Sequence, residues 1–229
     1  MQNYIYPDQQ SLDERVSAVM RSVYLKMFMA LLVTTVSAFA ICMIPNLTYF
    51  LATHSWLYWG LLILELVMVF SISGGVKSMS PATASVLFYL YAALNGVVFS
   101  LIFAAYSFDS IFKTFLISAG TFGAMTAYGY MTRRDLTRIG SFLYMALFGL
   151  IIMIVVNIFW HNSTLEWIVS ASGVLIFIGL TAWDTQKIKG WIQSGYPDGR
   201  LKTIGALTLY LDFINLFLYL LRFFGSSRD

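Results

Sequence analysis

Apolar residues in this chain gather into seven long blocks separated by short polar connections. The blocks cover about Val23–Ile44, Trp56–Ser73, Ala84–Tyr106, Ser110–Met131, Ser141–Trp160, Trp167–Gln186 and Thr203–Phe224. Each is close to the ~20 residues that cross a hydrocarbon layer of ~30 Å at about 1.5 Å per residue. Backbone polar groups in lipid must bond within their own segment, so the blocks predict α-helices. The expectation is an all-α integral membrane protein, a seven-transmembrane-helix bundle. Residues 1–22 form a polar N-terminal tail and residues 23–229 a single membrane domain. Pro45 ends the first span, and Gly74-Gly75 stops the second. In the tail, Ser11 and Glu14 have capping-box spacing, which predicts a short amphipathic helix from about Ser11. Asp8, Asp13 and Glu14 interrupt any basic leader pattern.

Composition agrees with the blocks. Of 229 residues, 59% are apolar and only 11% charged, whereas soluble domains carry about 25% charged residues. The net charge of +3 gives no ground for a nucleic-acid partner. A single cysteine, Cys42, excludes an intrachain disulfide, and no Cys/His cluster points to zinc.

Charge placement sets the expected orientation. With the N-terminus cytoplasmic, that side receives Arg15, Arg21, Lys26, Lys77, Arg133, Arg134, Arg138, Lys187, Lys189, Arg200 and Lys202. The other side receives Lys113, Arg222 and Arg228, so the positive-inside rule favours a cytoplasmic N-terminus by eleven to three. Trp56, Trp160 and Trp167 fall at span ends, where aromatic belts form. Ala119, Gly123 and Ala127 repeat at every fourth position of the fourth span, a spacing that lets helices pack closely. The Lys187–Lys202 connection, with Gly195, Pro197 and Gly199, is the expected mobile segment and partner site.

Three acids interrupt the blocks: Glu65 in the second span, Asp184 near the end of the sixth and Asp212 in the seventh. A carboxylate at bilayer depth costs roughly 2.5–3.5 kcal/mol on insertion scales, so each must face protein or water. Few cations are placed to neutralise them. Lys26 and Lys113 sit near span ends, and Lys77 lies beyond the end of the second span. Asp184 and Asp212 both fall in the cytoplasmic half, about 9 Å apart in depth, an offset that shrinks if the last span tilts or starts later. Brought together, they can share a proton or bind a hard cation such as Ca²⁺. Spacing alone equally allows two separate carboxyls, each hydrogen-bonded to its own neighbours.

Enzymatic readings fit poorly, and no enzyme activity is expected. The Gly-x-Gly-Asp motif of aspartyl intramembrane proteases is absent, because Asp212 follows Tyr210-Leu211. Ser170-Ala171-Ser172-Gly173 lacks a histidine in another span to act as base. The last span has no lysine for a retinal Schiff base.

Three segments carry a family resemblance: GTFGAMTAYGYMTRRDL (120–136), GLTAWDTQKIK (179–189) and ALTLYLDFINLFLYLLRFFG (206–225). From about residue 20 onward the chain is similar to the bacterial branch of the Bax inhibitor-1 family, the transmembrane Bax-inhibitor-motif proteins. The resemblance implies a central seventh helix and a pH-sensitive Ca²⁺ leak in the bacterial inner membrane. It implies Ca²⁺ and protons as the ions handled, with no cofactor. It assigns Asp184 and Asp212 to a paired, proton-linked gate that would also bind passing Ca²⁺, and Glu65 to an auxiliary intramembrane carboxyl. In characterised relatives an arginine eleven residues after that glutamate latches the pair. Here Val76 holds the position, and the neighbouring cation is Lys77. Lysine lacks the planar fork that grips two carboxylates, so Lys77 would make a weak latch. Another branch of the family restrains a membrane-embedded ATP-dependent protease. A non-conducting regulator with such a partner is therefore the alternative that the resemblance implies.

Overall fold

The computed structural model describes residues 9–75 and 79–226. These form eight helices: α1 (Gln9–Cys42), α2 (Pro45–Thr53), α3 (Ser55–Gly75), α4 (Pro81–Ala105), α5 (Phe108–Met131), α6 (Thr137–Trp160), α7 (Ser163–Gln193) and α8 (Asp198–Phe224). No strand occurs among the described residues. Six helices, α1, α3, α4, α6, α7 and α8, are long and apolar enough to cross a membrane. Helix α5 is as long as α6 but less apolar. It carries Asp109 and Lys113, ion-paired to each other at 2.6 Å in its first turns.

Local chemistry sets the helix ends. Ser80 caps α4 by accepting the Thr83 N–H at 3.1 Å, and Pro81 follows at the first helical position, where its missing donor is harmless. Ser107 caps α5 through the Ser110 N–H, and Asn162 caps α7 through the Leu165 N–H. His161 takes a left-handed conformation, φ 47°, and ends α6.

Three helices run past the ends expected from hydropathy. Helix α1 is unbroken from Gln9, so the amphipathic piece expected near Ser11 and the first span are one helix. Val16, Val19 and Met20 on this extension are buried in the core. Helices α7 and α8 likewise extend to Gln193 and back to Asp198. Most of the expected Lys187–Lys202 loop is therefore helical, and only residues 194–197 connect the two. Arg15 donates to Asp198 at 2.6 Å and to the Tyr196 carbonyl at 3.0 Å, tying that connection to α1.

Helix α8 is the most buried of the candidate spans and packs against α1, α4, α5 and α7. Helices α3 and α6 lie at the periphery with large apolar side chains exposed, among them Phe70, Phe148 and Ile152. Such surface is untenable in water but ordinary against lipid. One flank of α8 presents Tyr210, which is fully buried. Its ring meets Phe88 and Tyr91 of α4 edge-on at 5.6 and 5.9 Å. Its hydroxyl lies 2.6 Å from Thr34 of α1, which also contacts the carbonyls of Ala30 and Ala92. Thr34 has one proton to give to a carbonyl, so it serves as the acceptor for Tyr210.

Close helix approach occurs at isolated glycines. A Cβ on Gly96 would collide with the Thr34 carbonyl, one on Gly129 with the backbone of Ala182, and one on Gly173 with the Tyr219 ring. The Ala119/Gly123/Ala127 repeat does not do this work: Gly123 and Ala127 are exposed, and a Cβ on Gly120 or Gly123 would meet nothing within 4 Å. Gly120→Ala is therefore expected to raise stability by about 0.5 kcal/mol, because alanine restricts the unfolded chain more. Thermal unfolding in detergent reads this.

Candidate functional site

Asp184 of α7 and Asp212 of α8 are 2% and 4% exposed. They come from adjacent packed helices and lie within coulombic range of each other. Both are thus buried on packed helices, close enough to interact electrostatically. A cation not assigned to the pair from sequence lies beside it. Lys187 Nζ lies 3.3 Å from Asp184 Oδ1, three residues on along α7, and within coulombic range of Asp212. Lys77, the expected weak latch, lies outside the described residues.

Lys187 is held by aromatic faces. Its ammonium sits 4.4 Å from the Trp183 ring centroid, 5.0 Å from that of Trp191 and 5.7 Å from that of Tyr144. Ring quadrupoles attract a cation by about 0.5–2 kcal/mol each, depending on desolvation. The lysine is 28% exposed against 3% for the Asp184 side chain. The carboxylate is thus buried, while its partner reaches toward the edge of the bundle. Tyr144 meets Trp183 edge-on at 5.2 Å and lies within coulombic range of both aspartates. Gly140 of α6 makes room for this, since a Cβ there would overlap the Trp183 indole.

The same turn of α7 is sewn to the α5–α6 connection. Gln186 accepts the Leu136 N–H at 2.9 Å and donates to the Arg134 carbonyl at 2.8 Å. Lys189 donates to the Tyr130 carbonyl at 2.9 Å. Within the 179–189 segment, Asp184 and Lys187 therefore build the site, while Gln186 and Lys189 fix its helix.

One oxygen of Asp212, Oδ2, is buried with no hydrogen-bond partner. A buried carboxylate oxygen without a donor is costly unless it binds a proton or a cation. Two carboxylates do not make a resident Ca²⁺ cage, which takes 6–8 oxygen ligands, and no cluster of three or more metal-ligating side chains occurs among the described residues. The arrangement suits exchange of a proton and transient contact with a hard cation.

Glu65 belongs elsewhere. It lies within coulombic range of Tyr91 and Tyr210, and Tyr210 is two residues from Asp212, about 200° round α8. Glu65 Oε1 and Asn95 Oδ1 are both buried without a partner, while Asn95 Nδ2 donates to the Tyr91 hydroxyl at 3.1 Å. The three intramembrane acids thus form a pair on one flank of α8 and a single carboxyl on the other. Lys26 serves neither: it donates to Ser85 at 2.5 Å. Lys187 and Tyr144 were not singled out from sequence. The i,i+3 spacing of Asp184 and Lys187, which puts both on one helix face, is the signal that could have found the lysine.

Comparison with known proteins places this architecture. The model of the family described as inhibitor of apoptosis-promoting Bax1 matches residues 16–229. The inner membrane protein YbhL of Escherichia coli K12 is 46% identical over 174 residues, 74% of each chain. An uncharacterized protein of Borreliella burgdorferi is 42% identical over 207 residues, 89% of each chain. A Rickettsia prowazekii protein, RP147, is 41% identical over 222 residues, 96% of this chain and 94% of its own. With its helices, its buried aspartates and its matched length taken together, the chain belongs to the Bax inhibitor-1 family.

Proposed function

We propose that the protein is a Ca²⁺ leak of the bacterial inner membrane, gated by the protonation state of Asp184 and Asp212. In this reading α1 and α3–α8 make seven crossings around α8, α2 lies between the first two, and the N-terminus is cytoplasmic. The charge count supports that orientation, and an inner membrane location is what YbhL is named for. The observation that carries the reading is the unpartnered Asp212 Oδ2 beside a second buried carboxyl. Such a pair holds a proton between its members or releases it and offers oxygen ligands to a hard cation. Lys187 acts as the latch. It neutralises Asp184 from the same helix and must be displaced, or outcompeted by Ca²⁺, for the ion to pass. Glu65, across α8, draws cations toward the bundle from the other flank.

The test is flux of Ca²⁺ into liposomes loaded with a Ca²⁺ dye, measured across pH with purified protein. Asp184→Asn and Asp212→Asn are each expected to flatten the pH dependence, because an amide cannot exchange the proton. Wild-type flux and an unchanged pH profile in both variants would remove the pair as the gate.

A further inference from the structure

An apolar crevice runs between α1 and α4 on one side and α5 on the other, with α8 as its floor. Although α4 and α5 are consecutive, they do not pack along their length, and neither do α1 and α5. The splay is fixed at its apex. The Ser107 N–H donates to the Ser226 carbonyl at 3.2 Å, and the Ser226 N–H donates to Ser110 Oγ at 3.0 Å. The turn between α4 and α5 is thereby pinned to the end of α8.

Below the apex lies a cavity of about 400 Å³, walled by Leu31, Thr35 and Phe39 of α1 and by Phe112 and Phe115 of α5. Phe213 and Phe217 of α8 form the floor. A second cavity of about 200 Å³ continues it past Phe39 to Cys42 and Met43. Thr34 and Thr35 supply the hydroxyls on the walls of the larger cavity. Thr34 is bonded as described above, and Thr35 donates to the Leu31 carbonyl at 2.9 Å. Water therefore finds almost no partner there, and a dry apolar space takes an apolar guest. At the mouth, Thr35, Phe39, Phe112 and Phe115 are all exposed, and with α5 as one of the seven proposed crossings the mouth opens to the hydrocarbon of the bilayer.

The dimensions say which guest fits. From Met43 to Leu31 the crevice follows twelve residues of α1, about 18 Å at 1.5 Å per residue. One leaflet of hydrocarbon is about 15 Å deep, half of the ~30 Å core. We propose that this crevice is a lipid site, holding one acyl chain of a phospholipid from the leaflet at the Cys42 end of the bundle. The terminal methyl of that chain lies against Phe213, the residue after Asp212. The lipid fills the gap that α5 leaves and packs on the central helix, and its binding is independent of whether the protein conducts Ca²⁺.

The experiment uses the full chain reconstituted in liposomes containing a phospholipid with a diazirine near the end of one acyl chain. After illumination, labelled peptides are mapped by mass spectrometry. Label is expected on α8 at Phe213 to Phe217, although Phe213 and Phe217 are only 4% and 6% exposed. Thr35→Trp places an indole in the crevice and should abolish the α8 label, leaving the label on outward-facing Phe148 of α6 unchanged. Phe112→Trp, on the opposite wall, is the second blocking variant should the first fail to fold. Label on Phe148 with none on α8 overturns the proposal, and so does α8 label that survives in the folded blocking variant.

Discussion

Gly129→Val is expected to cost about 3 kcal/mol or more, enough to lose most of the folded protein from the membrane. The Cβ of any residue there would overlap the carbonyl of Ala182, and backbone cannot move aside as a flexible side chain can. The clash falls where α5 crosses α7, two residues from Asp184. Helix α7 is already fixed at that level by Gln186 and Lys189. It cannot retreat without breaking those bonds, so the strain has no inexpensive outlet. Yield and monodispersity on size-exclusion chromatography, beside the Gly120→Ala variant, measure the effect. Comparable yields of the two would mean that α5 and α7 do not approach as described.

Lys187→Met is expected to act on gating more than on folding. The ammonium is partly solvated, so its loss costs about 1–2 kcal/mol rather than the 3–5 kcal/mol of a fully buried pair. Asp184 is left without its cation, however, and proton exchange at a carboxyl responds to the charge beside it. The pH profile of Ca²⁺ flux should therefore shift in Lys187→Met and stay close to wild type in Lys187→Arg. A profile that Lys187→Met does not move would show that this lysine is not the partner of the aspartates.

Much of this arrangement is legible in the chain because lipid is an exacting solvent. Blocks of apolar residues give the spans, and a carboxylate inside a block stands out because it is costly there. Asp184 and Asp212 are visible for that reason, although their spacing alone leaves open whether they meet. Less legible are features that depend on direction round a helix. Glu65 looks like a third member of one acidic group, yet the two-residue offset of Tyr210 from Asp212 sends it to the far flank of α8. Lys187 reads from sequence as a topology charge just beyond a span, because hydropathy ends the sixth block at Gln186 while the helix continues to Gln193. The small-residue repeat of α5 is misleading for a related reason: its spacing is right for close packing, but Gly123 and Ala127 line an open groove beside α1 rather than a close contact. The glycines that do admit a neighbour stand alone, with no repeat to announce them.

The opposed positions of Tyr210 and Asp212 constrain how α8 can move. Twisting it about its own axis would shear the Thr34 contact on one flank while dragging the carboxyl away from Asp184 on the other, so torsion is resisted twice over. Leaning of α3 or α6 at the periphery breaks neither contact. Under the proposed gating, the motion that admits an ion would therefore lie in the helices around α8 rather than in rotation of α8 itself.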